Sequence, residues 1–124
     1  MAKKILIIED EKTLRFLLAQ SLIAAGFQVE EAVDGEEGIK KMKENKPDLV
    51  LLDLILPTMH GFDVLIKIKK DPFLESVPVM ILSNLGQKEE VDKGLELGAV
   101  DFLIKAHFSL DEIIEKVKKT LSSY

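Results

Sequence analysis

Six polar residues close apolar runs of this sequence at points where chemistry could be done. Asp53 lies in "LVLLDLIL", between four apolar residues and three more, and a lone carboxylate so enclosed is costly unless it is paired, protonated or metal-bound. Glu9 and Asp10 end the run "ILII", Ser83 and Asn84 end "VPVMIL", and Lys105 ends "DFLI". Carboxylates brought together repel, so they must either raise a pKa or hold a cation. A hard divalent ion with oxygen ligands and retained waters fits such a group, which points to Mg²⁺. A carboxylate beside a metal, a mobile hydroxyl and a lysine would suit phosphoryl transfer to oxygen. Asp53 would attack phosphorus and become an acyl phosphate, Mg²⁺ would neutralise charge, and Lys105 would pair with the phosphoryl oxygens.

That chemistry requires the six residues to meet, and the pattern around them supplies the means. "KKILII", "FQVEEA", "DLVLLD", "VPVMILS" and "VDFLIK" read as strands, the second alternating like a sheet edge and the third apolar on both faces like a central strand. Between them lie segments of helical period. Leu14, Leu17, Leu18, Leu22 and Ala25 predict an amphipathic helix stopped by Gly26. Asp34 with Glu37 resembles a capping box opening a helix through Ile39 and Met42, which ends before Pro47. Phe62, Leu65 and Ile68 mark a third helix. Val91 and Leu95 mark a weaker fourth, loosened by Gly94 and ended by Gly98. Ser109 with Glu112 forms a second capping box, before the stripe Leu110, Ile113, Ile114, Val117 and Leu121.

Five strands alternating with five helices predict a doubly wound α/β domain whose parallel sheet is covered on both faces. Ligands of such sheets bind beyond the carboxyl ends of the strands, where strand order reverses. Glu9, Asp10, Asp53, Ser83, Asn84 and Lys105 all stand at those ends. Each also admits a plain structural role taken singly: Asp10 could cap the first helix, Ser83 could serve a turn, and Lys105 could be a solvated strand end. His60 and His107 have no metal-ligand spacing and are read as solvent-facing. The lysines of "KVKKTL" read as the wet face of the last helix.

The chain has 124 residues, 47% hydrophobic and 31% charged, which is one domain's worth and needs no disulfide or metal merely to fold. Its formal charge of −5 argues against a broad basic surface, so direct nucleic-acid binding is not expected. With no cysteine, disulfides and thiol catalysis are excluded. The opening "MAKKILIIEDE" is too short in its apolar run for a signal peptide, and no run is long enough to span a membrane. A cytoplasmic protein is expected.

The ordered set "ILIIEDE", "PDLVLLDLILPTMHGFDVL", "VPVMILSN" and "GAVDFLIK" resembles the receiver domain of bacterial two-component response regulators along nearly the whole chain. The resemblance implies a single receiver domain over residues 1–124, flavodoxin-like, with strand order 2-1-3-4-5. It implies that Asp53 accepts a phosphoryl group from a sensor histidine kinase or phosphotransfer protein. It also implies that Glu9, Asp10, Asp53 and the backbone carbonyl of Ile55 serve the Mg²⁺ site. Ser83 and Phe102 match the family's hydroxyl and aromatic switch positions, which couple phosphorylation to the surface of the fourth helix, fifth strand and fifth helix. A downstream protein target or an output domain beyond this sequence would read that surface, and phosphorylation could bring homodimerisation. Ile55 and Leu85 match positions flanking the route of the water that attacks the acyl phosphate.

Two departures stand out. The family usually has proline after the strand-five lysine, often across a cis bond, where this chain has Ala106. Phe102 replaces a common tyrosine. A phosphatase of the haloacid dehalogenase class would need a D-x-D pattern, and the second position here is Ile55. An FMN carrier would need a small polar loop where this chain has acids. A receiver used as a phosphorylation-independent interaction module is the closer alternative.

Overall fold

The five apolar runs are parallel strands in a computed structural model that describes residues 2–123. They are β1 (Lys4–Ile8), β2 (Gln28–Ala32), β3 (Leu49–Leu52), β4 (Val79–Ser83) and β5 (Asp101–Ile104). The helices are α1 (Lys12–Ala24), α2 (Gly35–Glu44), α3 (Gly61–Lys70), α4 (Lys88–Glu96) and α5 (Leu110–Leu121). The sheet order is β2-β1-β3-β4-β5. From β1 the chain steps outward to β2, and from β3 it steps the other way, so the carboxyl ends of β1 and β3 flank the point where the order reverses.

The pleat sorts the core into two layers. Leu6 and Ile8 of β1, Val50 and Leu52 of β3 and Ile81 of β4 face α2 and α3, meeting Met42, Val64, Leu65 and Ile68. Ile5, Ile7, Leu49, Leu51, Met80 and Leu82 face the opposite side and meet Leu18, Ala19 and Leu22 of α1 with Ile113, Ile114 and Val117 of α5. Each fully buried Leu or Ile contributes about 2 kcal/mol. β1 and β3 are covered on both faces, and β2 is an edge, as their sequence patterns imply. No helix among the described residues is long and apolar enough to cross a membrane.

Three local expectations are corrected. Leu17 does not join the α1 stripe and is 42% exposed, because Leu18, Ala19 and Leu22 already span the inward arc. Asp34 does cap α2, its Oδ1 accepting from the Glu37 N–H at 2.8 Å. Glu37 does not return to Asp34, however; its Oε1 accepts from the Val33 N–H at 3.0 Å, so the box is displaced by one residue. On α4, Leu95 faces outward while Gly94 is the buried residue. A Cβ at Gly94 would lie 2.8 Å from Ile81 Cδ1 and 3.0 Å from Phe102 Cδ2, so this glycine allows α4 to approach β4 and β5 closely. The Ser109–Glu112 capping box of α5 has both of its hydrogen bonds.

Candidate functional site

The fold buries four polar or charged side chains among the described residues: Lys4, Glu9, Asp53 and Ser83. Three of them are at the carboxyl edge of the sheet. Glu9 follows β1, Asp53 follows β3, and Ser83 closes β4. The register explains the meeting: Ile8 pairs with Leu52, so the next residues along, Glu9 and Asp53, leave adjacent strands together. The Asp53 N–H still donates to the Ile8 carbonyl at 3.0 Å.

Carboxylate oxygens of Glu9, Asp10 and Asp53 lie within 4.8 Å of one another. Lys105 opens a short 3₁₀ turn (Lys105–His107) directly after β5. Its Nζ reaches back to Glu9 Oε1 at 2.7 Å and to Asp53 Oδ2 at 3.4 Å. The remaining oxygens have backbone partners: Asp53 Oδ1 accepts from the Leu54 N–H at 2.8 Å, and Glu9 Oε2 from the Glu11 N–H at 3.0 Å. Asp10 is exposed, and its carboxylate makes no hydrogen bond or ion pair among the described residues. Burial pushes the Glu9 carboxyl above its usual range. The Lys105 ammonium and the Glu11 N–H oppose that rise, and the Asp53 charge adds to it.

One lysine does not balance three carboxylates. At an effective dielectric of 20, two charges 4.8 Å apart repel by roughly 3 kcal/mol. An all-oxygen donor set with surplus negative charge, one member of it open to solvent, fits a hard divalent cation such as Mg²⁺ that keeps several waters.

The other expected residues take definite places. Ser83 is fully buried, and its Oγ accepts from the Leu85 N–H at 3.2 Å, so the turn role open to it from sequence is present as well. Phe102 is buried on β5 against Ile81 and Gly94. Ile55 lies in the loop between β3 and α3 with its side chain 55% exposed, and Leu85 is partly buried against the core. Asn84 is exposed. The Lys105–Ala106 bond is trans, as no cis peptide occurs among the described residues.

Three residues at this edge, Glu11, His60 and Arg15, have roles that composition and spacing do not suggest. Asp10 does not cap α1; Glu11 does, accepting from the Leu14 N–H. His60 is not simply solvent-facing: its Nδ1 accepts from the Phe62 N–H at 3.0 Å, which makes it the N-cap of α3. Arg15 escaped notice as an ordinary cation on an amphipathic helix. Its guanidinium donates to the Glu9 and Asp10 carbonyls, contacts that no residue type or spacing signals.

Set beside known proteins, residues 5–118 match the response regulator receiver domain. The chain is 40% identical over 123 residues to the alkaline phosphatase synthesis transcriptional regulatory protein PhoP of Bacillus subtilis (strain 168), covering 98% of this chain and 49% of that protein. It spans about half the length of the curated relatives it matches. Among solved structures, the CheY-like receiver domain protein of Methanospirillum hungatei JF-1 superposes with a TM-score of 0.92 at 27% identity, covering 99% of this chain and 96% of that one. The phosphorylated cyanobacterial phytochrome response regulator RcpA superposes with a TM-score of 0.84 at 29% identity, covering 97% and 91%. With its 2-1-3-4-5 sheet and a family match over nearly its whole length, the chain belongs to the response regulator receiver domain family.

Proposed function

We propose that this receiver accepts a phosphoryl group on Asp53 from a sensor histidine kinase or a phosphotransfer protein, in the cytoplasm. The observation that carries the reading is the burial of Asp53, 6% exposed, among acids at the switch point with Lys105 3.4 Å from its Oδ2. An Asp53 oxygen attacks the phosphorus of a phosphoimidazole. An O–P bond forms, the P–N bond breaks, and its electron pair leaves with the imidazole nitrogen. Lys105 pairs with the phosphoryl oxygens as they arrive, in exchange for its present contact with Asp53. Glu9, Asp10, Asp53 and the Ile55 backbone carbonyl would hold Mg²⁺, which supplies charge neutralisation at the phosphoryl group. The protein turns over no separate substrate; phosphorylation and its reversal take place on Asp53 itself.

Readout runs through Ser83 and Phe102. The Ser83 hydroxyl exchanges the Leu85 N–H for a phosphoryl oxygen, and the shift is passed to the surface of α4, β5 and α5. The close packing of Phe102 on Gly94 of α4 supports that coupling. The surface serves a downstream protein target or an output domain, and phosphorylation can bring homodimerisation through it. Incubation with acetyl phosphate and Mg²⁺ followed by intact-mass measurement tests the core of the reading. The wild type gains the mass of one phosphoryl group and Asp53→Ala does not. A variant that gained it as fast as wild type would remove Asp53 from the role. A wild type that never gained it would favour an interaction module independent of phosphorylation.

A further inference from the structure

Arg15 stands one turn into α1 and turns its side chain back toward the acidic turn. Its Nη1 donates to the Glu9 carbonyl at 3.0 Å and to the Asp10 carbonyl at 3.3 Å, and its Nε donates to Glu31 Oε1 of β2 at 3.2 Å. The guanidinium side chain is only 15% exposed. We propose that Arg15 is a positioning residue for the divalent-cation site: anchored on Glu31, it fixes the Glu9–Asp10 backbone so that both carboxylates face Asp53. The inference rests on the reading of that acidic edge as a Mg²⁺ site.

Glu9 is already held by other means: its N–H donates to the Ala32 carbonyl at 3.0 Å, and its carboxylate is tied to Lys105 and to the Glu11 N–H. Asp10 has no such support. It is exposed, its side chain has no partner among the described residues, and its carbonyl is tied by Arg15. The peptide after Asp10 is held at both ends, its carbonyl by the guanidinium fork and its N–H, that of Glu11, by Glu9 Oε2; without the fork it would hang on Glu9 alone, itself a member of the cluster. Three donors in one planar group, aimed at two carbonyls and a carboxylate, are what arginine supplies and lysine cannot.

Charge and geometry act in opposite directions, and the pairing with Glu31 decides between them. A bare cation near the carboxylates would compete with Mg²⁺, so its removal would tighten binding. Arg15 is ion-paired, and the pair presents little net charge to the site, which leaves geometry as its main effect. Arg15→Lys keeps the charge and removes the fork. Glu31→Ala, at a largely solvent-facing side chain, frees the anchor and exposes the cation; both changes weaken Mg²⁺ binding.

The test is calorimetric titration of the unphosphorylated protein with MgCl₂, with circular dichroism confirming that each variant is folded. Arg15→Lys is expected to raise the Mg²⁺ dissociation constant about tenfold, the lower end of what loss of an outer-shell partner costs. Glu31→Ala is expected to raise it by a smaller factor. A purely structural role would lower the melting temperature in chelator and leave the dissociation constant of the folded protein unmoved. If wild type binds Mg²⁺ and Arg15→Lys binds it as tightly or more tightly, the positioning role is overturned while the metal site stands. If wild type takes up no Mg²⁺, the metal site itself is refuted, and the positioning role with it.

Discussion

Gly61 lets the start of α3 pack directly on the end of β3 that carries Asp53, and its replacement by alanine has a cost that can be worked out. A Cβ there would lie 2.5 Å from the Asp53 carbonyl oxygen, 2.6 Å from Leu54 Cα and 2.9 Å from Leu54 Cδ2. Ordinary contacts between carbon atoms are near 3.5–4 Å, so α3 or the end of β3 must move by about 1 Å. The two nearest atoms are backbone and pinned: the Gly61 N–H donates to the Leu54 carbonyl at 2.8 Å, and the Asp53 N–H to Ile8. Overpacking ordinarily costs about 1–3 kcal/mol, and a clash with fixed backbone belongs at the top of that range. A loss near 3 kcal/mol corresponds to roughly 10 °C in melting temperature for a chain of this length. Gly94→Ala is the control. Its obstacles are the flexible end of Ile81 and the Phe102 ring edge, and alanine recovers up to about 1 kcal/mol of helix propensity. Its net effect is expected within about 1 kcal/mol of zero on those two terms. Urea unfolding followed by circular dichroism measures both. A Gly61→Ala protein within about 0.5 kcal/mol of wild type, the range of an ordinary surface substitution, would refute the steric argument.

Mg²⁺ at a hundred times its dissociation constant should stabilise wild type by about 2.7 kcal/mol and be required for phosphorylation; an unchanged melting curve, or phosphorylation unimpaired in excess chelator, contradicts the metal site. Ile55 and Leu85 are branched and apolar and cannot orient a water, so Ile55→Asn and Leu85→Gln should shorten the life of phospho-Asp53, about tenfold for each 1.4 kcal/mol of barrier. Decay followed by mass spectrometry that is unchanged or slower in both variants ends that argument. His60→Ala removes the α3 cap and should cost about 1 kcal/mol, largely restored by His60→Asp; equal stability of all three proteins would deny the cap. Glu112 accepts from the Ser109 N–H and is close to the Ser109 hydroxyl, and both hold its carboxyl below the usual range. Its contribution is therefore present above the unfolded pKa of 4.5 and lost as pH falls through the lower folded value. Glu112→Gln should flatten the acid limb of the stability curve there, and an unchanged limb in unfolding titrations would count against it.

The elements were legible because their signals are local. Strands buried on both faces, such as Leu49–Leu52, read as unbroken apolar runs, and the Ser109–Glu112 box marks the start of α5 three residues apart. The meeting of Glu9, Asp10, Asp53 and Lys105 followed from one inference, that every strand of a parallel sheet ends at the same edge. Where a helix has few inward residues the reading failed. On α4, a short helix whose Gln87 cap makes no side-chain hydrogen bond, hydrophobicity points to Leu95, but the close approach to β4 and β5 turns Gly94 inward, against Ile81 and Phe102.

Arg15, and His60 with its solvent-facing reading, share a different property: each holds backbone atoms at the site's edge. Arg15 acts on two carbonyl oxygens and His60 on one N–H. Every residue but proline offers the same N–H and every residue the same carbonyl, so these backbone partners leave no trace in residue type or spacing. Each becomes visible only when a turn has brought it within reach, and the two turns concerned follow β1 and β3, where the sheet order reverses. The strand that ends at such a crossing leaves carbonyls without a ladder partner, as at Glu9 and Asp10, and the helix that follows leaves N–H groups without one, as at Phe62; here a side chain meets each. A residue that satisfies them there holds the site's own loops, which is why Arg15, an unremarked cation in the sequence, is tied at once to Glu31 of the edge strand and to the carbonyls of two acids.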